Sequence, residues 1–574
     1  MGRILGSPSP PAVISVLPVP SRIAIAVGVG HRYDDWLGIR RVSAMKQTLP
    51  PSRMSTTDAA FLYIERETVP LHIASVCIFD GPIPFKQFVA SIDSKLHLVP
   101  RYRQIPHEPT WDLDFPVWQD DPSFDIHRHV IPVTLPAPGG DAELQSLSSR
   151  ILSQLLDRKK PLWDIHVVSG LAGGRGALIW RLHHALADGV SGAQLMRLFL
   201  ESTPDVPASF PKRQYSKVRR RVAESPPPTG VYGMLHSILG RLLEFEAGLL
   251  TITEALLGHS KSDAREAKEN PLRGLIGLLP EFTASIERLP FNKPCTGERK
   301  FCWAEFDLAA VQRIREAAGG TINDVYLAIV TRALAHYVKL HGESVVNRLV
   351  RIVCPVNLRV PDEQTRGGLG NQISFLPIAL PLDSHGPIRT LQAVTERTEA
   401  LKQCGVFALV GLAAKWLAAF PPPLQAFFWR NIPEVILPVP LLNMICTNVV
   451  GSSTPLYAVG RRMVASYPQV PTGWELGVGC AAHSYDGKLY LGLIADTHAA
   501  PDVERLRDFM VESFHELCRG TAHRKARSIH NTVRPRRRHQ QQPANAVSPV
   551  AAESPSEGAR REAEAATGDA HEAA

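Results

Sequence analysis

A proline-rich, basic stretch divides this chain into two segments that have the same internal plan. Between about residues 206 and 290, three consecutive prolines and a cluster of lysines and arginines interrupt the regular hydrophobic pattern. On each side, short apolar runs typical of buried strands alternate with segments of helical periodicity. A chain of 574 residues exceeds the size of one ordinary core. Two α/β halves joined by a linker are therefore expected.

The boundaries follow from where this alternation starts and stops. We predict a loose N-terminal tail or upstream extension at 1–53, a first half at 54–205, the linker at 206–290, a second half at 291–520 and a disordered tail at 521–574. Met54, directly before the first orderly segment, is a candidate for the true start. Leucines at helical spacing from Leu235 to Leu257 predict an amphipathic linker helix, which packs on the protein or contacts a membrane or lipid droplet.

The net charge of +8 comes from the two tails. The first 53 residues contain seven Lys or Arg against two Asp or Glu, and residues 521–574 contain nine against six. The part between them is formally neutral, which argues against a basic surface for nucleic acid. The arginines at 534–538 are interpreted as a solvated tail, and no nucleic-acid partner is expected.

Cysteine spacing and hydropathy indicate the cellular compartment of the protein. The eight cysteines show no C-x-x-C pairing and no histidine spacing suited to zinc, so we expect free thiols in a reducing environment and no metal site. No apolar run is long enough to span a bilayer, and prolines interrupt the N-terminal apolar stretch where a signal peptide needs a continuous one. The sequence predicts a cytoplasmic protein, with peripheral contact at the inner membrane face or at lipid droplets.

Two adjacent histidines carry the main chemical signal. His183 and His184 end a predicted buried strand, and Asp188 and Gly189 follow after three residues. Neighbouring strand residues point to opposite faces, so one imidazole can face a cavity while the other supports the loop. An imidazole with a pKa near ~6.5 is a natural general base for acyl transfer. Gly189 would permit a backbone angle that other residues rarely adopt. Two structural histidines satisfied by local hydrogen bonds are the alternative.

A second polar segment opens a helix in the other half. Thr321 is placed to cap this helix, with Asp324 three residues later as an acidic variant of the capping box. Asn323 then lies in the first turn, where unpaired N–H groups are located.

Several segments together resemble the bacterial wax ester synthase/diacylglycerol acyltransferase family. The His-His-x-x-x-Asp-Gly signature alone is shared by the wider coenzyme A-dependent acyltransferases. The added motifs are Ser55-Thr56-Thr57-Asp58-Ala59-Ala60-Phe61, Pro161-Leu162-Trp163, Asn323-Asp324, Pro355-Val356-Asn357-Leu358-Arg359 with Gly370-Asn371, and Thr447-Asn448-Val449-Val450-Gly451. They occur in order from about Met54 to Gly520.

The resemblance implies a fold and an activity. The fold would be two chloramphenicol-acetyltransferase-like α/β halves with a substrate tunnel between them. The activity would be transfer of a long-chain acyl group from acyl-CoA, the co-substrate, to diacylglycerol or to a long-chain alcohol, with no bound cofactor. His184 would be the general base and no covalent intermediate would form. His183, Asp188 and Gly189 would shape the loop, and Asp188 would pair with Arg359.

The resemblance also implies roles in the second half. Asn323 would position the reacting groups, and Thr447, Asn448 and Gly451 would bind substrate near the carbonyl. The chain departs from the family by lacking both prolines of the usual Ser-Asn-Val-Pro-Gly-Pro stretch. Two rival hypotheses remain, a condensation-type or polyketide-associated acyltransferase with another acceptor and a non-catalytic lipid-binding protein.

Overall fold

The fold is built on two six-stranded mixed sheets. The computed structural model describes residues 53–109, 114–211, 286–357, 373–403, 420–431 and 442–533. The first half contains helices α1 (Thr56–Ile64), α2 (Phe85–Lys95), α3 (Asp141–Leu152) and α4 (Gly189–Phe199) and strands β1 (His72–Phe79), β2 (Gln104–His107), β3 (Val117–Asp120), β4 (Val130–Thr134), β5 (Trp163–Ser169) and β6 (Gly176–His183).

The second half repeats the alternation of strands and helices. It contains β7 (Arg299–Asp307), α5 (Leu308–Ala318), α6 (Ile322–Leu340), β8 (Leu349–Asn357), β9 (Ile373–Pro381), α7 (Pro387–Gln403), α8 (Pro422–Asn431), β10 (Met444–Val450), β11 (Tyr457–Ala458), β12 (Arg461–Gln469), β13 (Val478–Tyr485), β14 (Lys488–Asp496) and α9 (Val503–Val533). The predicted capping box is confirmed, because Thr321 accepts from the N–H of Asp324, whose carboxylate accepts from the N–H of Thr321.

The second half of the chain contributes two strands to the first sheet. The first sheet has the strand order β11-β12-β1-β6-β5-β4, and the second has β7-β14-β13-β10-β8-β9. Strands β11 and β12 belong to the second half of the sequence, yet β12 pairs antiparallel with β1 of the first half. This pairing joins the two halves of the chain through backbone hydrogen bonds within the first sheet.

A further contact protects the free edge of the second sheet. Strand β7 is an edge strand, and its unpaired N–H groups would be open to another chain. The hydroxyls of Ser149 and Ser153 on α3 accept hydrogen bonds from the N–H groups of Phe301 and Arg299, at 2.9 and 2.8 Å. The first half thereby covers part of the edge of the second sheet.

The closing helix is longer than expected. We predicted disorder from residue 521, but the helical backbone of α9 continues to Val533. Residues 521–533 contain no proline, and several are good helix formers, so nothing in them stops the helix before Pro535. The predicted linker helix, Arg359 and residues 1–52 and 534–574 lie outside the described residues. None of the helices in the described ranges has the length and hydropathy needed to cross a bilayer.

Candidate active site

A cavity of about 720 Å³ lies between the two halves. Its walls come from α1, β1, β6 and α4 of the first half and from β8, β10, β13 and α8 of the second. Most lining side chains are apolar, and no described lining residue is Asp, Glu, Lys or Arg. A space of this size and polarity suits a long hydrocarbon chain.

His184 is the titratable side chain at the end of β6 that faces this cavity. Its residue is only 7% exposed, and its imidazole lies in the cavity wall. Its ring stacks on Phe61 of α1, with centroids 4.1 Å apart and an angle of 17° between the planes. Its backbone N–H donates to the carbonyl of Leu71 at 2.8 Å. Stacking and backbone bonding together fix where this imidazole lies.

His183 points away from the cavity into a buried polar pair. It is fully buried, and its Nδ1 accepts a hydrogen bond from the N–H of Ala185 at 3.0 Å. That bond assigns the proton to Nε2, which lies 3.1 Å from Oε1 of Glu65. The same oxygen of Glu65 accepts from the N–H of Leu71 at 3.1 Å. Glu65 therefore supports both the His183 ring and Leu71, whose carbonyl holds the His184 backbone.

The charge on Glu65 is kept by its neighbours. Burial alone would raise the pKa of this carboxyl, but attraction to His183 and to Arg158, 3.2 Å away, outweighs burial and lowers the pKa from 4.5 to about 2. Glu65 is thus ionised at neutral pH. Its negative charge lies behind the loop, on the opposite side from the cavity.

The loop after the histidines closes directly into α4. Asp188 is buried, caps the helix by accepting from the N–H of Ser191 at 2.8 Å, and so fixes the start of α4. Gly189 does not have the unusual backbone angle we expected, because it is the first residue of α4. A Cβ at Gly189 would instead lie 3.1 Å from Cγ2 of Val449 on β10. The glycine permits close approach of the loop after the histidines to the second half.

The upstream Pro-Leu-Trp segment braces the same strand. The carbonyl of Leu162 accepts from the N–H of His183 at 2.9 Å, and the Trp163 indole donates to the carbonyl of Tyr102 at 2.8 Å. Both side chains are buried. This motif acts on the site through packing and backbone bonding, without lining the described part of the cavity.

Two of the three predicted substrate-binding residues line the cavity. Thr447 and Asn448 of β10 are in its wall, and strand alternation places Thr447 on the same side as Ile445 and Val449. Gly451 is not among the described lining residues, and its predicted contact with substrate stays a prediction. A Cβ at Gly451 would overlap Nε2 of His483, so this glycine leaves room for that imidazole.

The remaining predicted residues are not brought to the described cavity wall. Asn323 lies in the first turn of α6 and is absent from the described lining. Its neighbour Asp324 makes the capping bonds and also accepts from Thr398 at 2.8 Å. The predicted pair of Asp188 with Arg359 cannot be placed, because Arg359 lies outside the described residues.

Sequence reasoning missed three residues of the site. Phe61 lies on α1 and Glu65 is the C-terminal cap of this helix. Their spacing of four residues places them on the same side of the helix, and this spacing could have indicated that they belong to one site. His483 of β13 lines the cavity and is a lone histidine in an otherwise apolar run. A lone histidine of this kind usually has a structural partner. The residues around His483 gave no reason to connect it with the His-His segment.

The fold matches solved acyltransferase and condensation structures. A structure titled as a wax ester synthase/diacylglycerol acyltransferase from Marinobacter aquaeolei VT8 covers 82% of this chain and 100% of its own, with a TM-score of 0.56 and 23% identity. The first condensation domain of the calcium-dependent antibiotic synthetase covers 82% of this chain and 97% of its own, with a TM-score of 0.51 and 15% identity. These likenesses confirm the predicted class, a two-half α/β fold of the acyltransferase and condensation type.

Sequence comparison identifies the family within this class. The model described as the wax ester synthase/diacylglycerol acyltransferase catalytic domain matches residues 54–326, and the WS/DGAT C-terminal domain matches residues 369–518. Two Mycobacterium tuberculosis proteins, named probable diacylglycerol O-acyltransferases tgs1 and tgs2, are 29% and 28% identical, covering 79% and 81% of this chain and 93% and 98% of their own. The chain belongs to the wax ester synthase/diacylglycerol acyltransferase family and is an acyltransferase.

Proposed function

We propose that this enzyme transfers a long-chain acyl group from acyl-CoA to the hydroxyl of diacylglycerol, and also to long-chain alcohols. The observation that carries the proposal is the position of His184 in the wall of a large apolar cavity between the halves. A base placed there can meet a hydroxyl whose hydrocarbon part is bound out of water. The relatives named as diacylglycerol O-acyltransferases support the choice of acceptor.

The proposed chemistry needs one proton acceptor. His184 takes the proton of the acceptor hydroxyl while the oxygen attacks the thioester carbonyl. The tetrahedral intermediate then breaks its C–S bond, and the coenzyme A sulfur leaves with the proton that His184 returns. No group of the enzyme becomes acylated. A general base contributes roughly 10²- to 10⁴-fold, so holding both substrates in position must supply much of the remaining acceleration.

Charge developing on the carbonyl oxygen needs hydrogen-bond donors. Thr447 and Asn448 line the same cavity from the second half, and the N-terminus of α4 at Gly189 faces it from the first. Side-chain donors and the positive end of a helix dipole both stabilise an oxyanion. Asn323 does not line the described part of the cavity, so this proposal gives it no direct contact with substrate.

The acceptor panel tests this proposal. Purified protein given palmitoyl-CoA with diolein is expected to release free thiol and form triacylglycerol, and with hexadecanol to form wax ester. Thiol release would be followed with a thiol reagent and the products by mass spectrometry. If no alcohol acceptor supports thiol release, the proposed function is wrong.

We also infer that α8 contacts a lipid surface next to the cavity. Trp429 lines the cavity, whereas Leu424, Phe427 and Phe428 of the same helix are 50%, 66% and 46% exposed. An apolar helix face beside a lipid-binding cavity would let substrates pass from a membrane or lipid droplet with little exposure to water.

Replacement of Phe427 and Phe428 by serine tests this contact. We expect binding to phosphatidylcholine vesicles with diolein to weaken by about a hundredfold or more, since each of the two phenylalanines loses roughly 1.5–3 kcal/mol of apolar burial. Vesicle flotation measures the effect. Leu340→Ser, at a 47% exposed position on α6, is the matched control and should leave binding unchanged. Equal binding by the double variant and the wild type would contradict the inference.

A further inference from the structure

The cavity wall carries a second polar cluster. His483 on β13 and Ser75 on β1 both line the cavity, and Ser466 on β12 lies between them. Nδ1 of His483 is 3.2 Å from the Ser466 hydroxyl, which is 3.0 Å from the Ser75 hydroxyl. The cluster therefore joins the two halves at a point where strands from both sheets meet.

The Ser75 end of this cluster is remote from His184. The His184 backbone N–H bonds to Leu71, and Ser75 lies four residues further along the same chain, which is roughly 13 Å in an extended strand. Ile73, between them, also lines the cavity and is apolar. Ser75 thus lies along the cavity from His184, whereas His483 pairs across strands with Val449, beside the proposed oxyanion donor Asn448. The proposed acyl transfer assigns no role to either Ser75 or His483.

One ring nitrogen of His483 has no hydrogen-bond partner among the described residues. The residue is only 6% exposed, and burial together with the positive charge of Arg197 lowers the pKa of His483 to about 4, so the imidazole is neutral at pH 7. A neutral imidazole has one donor and one acceptor nitrogen. Nδ1 is taken by Ser466, but Nε2 has no hydrogen bond to a described residue. A polar atom against an apolar cavity is costly unless a ligand satisfies it.

We infer that His483 and Ser75 form a hydrogen-bonding subsite for a hydroxyl carried along the alkyl chain of the lipid in the cavity. This inference rests on the proposed function. An uncharged oxygen fits better than a carboxylate, because no described residue in the cavity lining carries a full charge. An extended alkyl chain with C–C bonds of ~1.5 Å advances roughly 1.25 Å per bond, so the ~13 Å between Leu71, which holds His184, and Ser75 corresponds to about ten bonds. The hydroxyl belongs either to the acyl donor or to the acceptor.

Two assay arms distinguish these sources. In the donor arm, stearoyl-CoA is compared with 12-hydroxystearoyl-CoA, with hexadecanol as acceptor. In the acceptor arm, octadecanol is compared with octadecane-1,12-diol, with palmitoyl-CoA as donor and product counted only at the primary hydroxyl. The measured quantity is the ratio of kcat/KM for the hydroxylated substrate to that for its plain partner. A change of this ratio in the donor arm assigns the hydroxyl to the acyl donor, and a change in the acceptor arm assigns it to the acceptor.

His483→Leu is expected to lower this ratio about tenfold in one arm, the effect of losing one buried hydrogen bond to the ligand. Ser75→Ala should lower it in the same arm and removes only one oxygen atom, so it serves if His483→Leu folds poorly. His483→Gln, which keeps a polar group, should restore part of the ratio. Ile445→Val, an apolar change in the same cavity wall, should leave the ratio unchanged.

The outcomes separate this inference from the proposed function. If the wild type converts the plain substrates but the ratio stays within twofold of wild type in both His483→Leu and Ser75→Ala, the subsite does not exist. Absence of any preference for hydroxylated substrate by the wild type in both arms would also overturn it. Failure of the wild type to convert even the plain substrates would instead refute the proposed function.

Discussion

His184→Ala is expected to lower kcat for acyl transfer by roughly 10²- to 10⁴-fold, the usual contribution of a general base. The imidazole lies in the cavity wall and is held by Phe61 and by the Leu71 carbonyl. Alanine keeps the backbone bond and removes the proton acceptor. KM for acyl-CoA should change little, because the apolar walls that hold the chain remain. Steady-state thiol release, measured for the wild type and the variant, gives both values.

A matched histidine controls for effects on folding. His336 lies on α6, stacks on Phe509 and does not line the described cavity wall, so His336→Ala also removes an imidazole but should keep near wild-type activity. Thermal melting of both variants should show folded protein. Activity of folded His184→Ala within a few-fold of wild type would mean that another group accepts the proton.

Glu65→Gln is expected to destabilise the protein by roughly 1–3 kcal/mol and to lower kcat. The substitution removes a buried charge that faces the His183 ring and the partly exposed Arg158, and a hydrogen bond to a charged group contributes roughly 1.5–3 kcal/mol. Glu65 contacts His183 and Arg158 and accepts from the N–H of Leu71, whose carbonyl holds His184. Glu65 is a positioning residue, so the loss should fall on kcat more than on KM. Urea unfolding and steady-state kinetics measure the two effects.

Glu108 provides the control for Glu65. It also contacts Arg158, at 3.5 Å, but its side chain is 41% exposed, so Glu108→Gln should change stability by no more than about 0.5 kcal/mol. Wild-type stability and kcat in Glu65→Gln would show that the buried pair does not hold the loop.

The ionised Glu65 carboxylate makes the free energy of unfolding depend on pH. Attraction to His183 and Arg158 outweighs burial and lowers the pKa of Glu65 from 4.5 to about 2, so the folded state favours the ionised form. This contribution is complete above about pH 4.5 and is lost as the pH falls from 4.5 towards 2. The difference in unfolding free energy between wild type and Glu65→Gln should shrink over that range.

Local patterns predicted some of the elements, because these patterns depend on near neighbours in the chain. The burial of β6 and the capping box of α6 are readable from spacing. The crossing of β12 into the first sheet was not predicted, since which strand pairs with β1 depends on the tertiary arrangement. Sequence cannot show that Val449 of the second half approaches to within 3.1 Å of the place where a Cβ on residue 189 would lie.

Site residues that are neighbours in the sequence could be predicted, whereas those contributed by distant segments could not. Adjacent histidines on a strand must face opposite sides, and His184 and His183 do so. The carboxylate that supports His183 comes from α1, more than a hundred residues earlier, and no local pattern shows that Glu65 is buried. His483 reaches the same cavity from the other sheet. Contacts made across the two halves are visible only once both are placed.

The dependence of coenzyme A release on acceptor tests the central claim most directly, that a hydroxyl activated by His184 attacks the thioester without an acyl-enzyme. Enzyme is mixed with an excess of palmitoyl-CoA, with or without hexadecanol, and thiol release is followed through the first turnover while intact protein mass is measured. The account predicts thiol release only when acceptor is present, with unchanged protein mass. A burst of thiol equal to the enzyme concentration without acceptor, together with acylated protein, would contradict it.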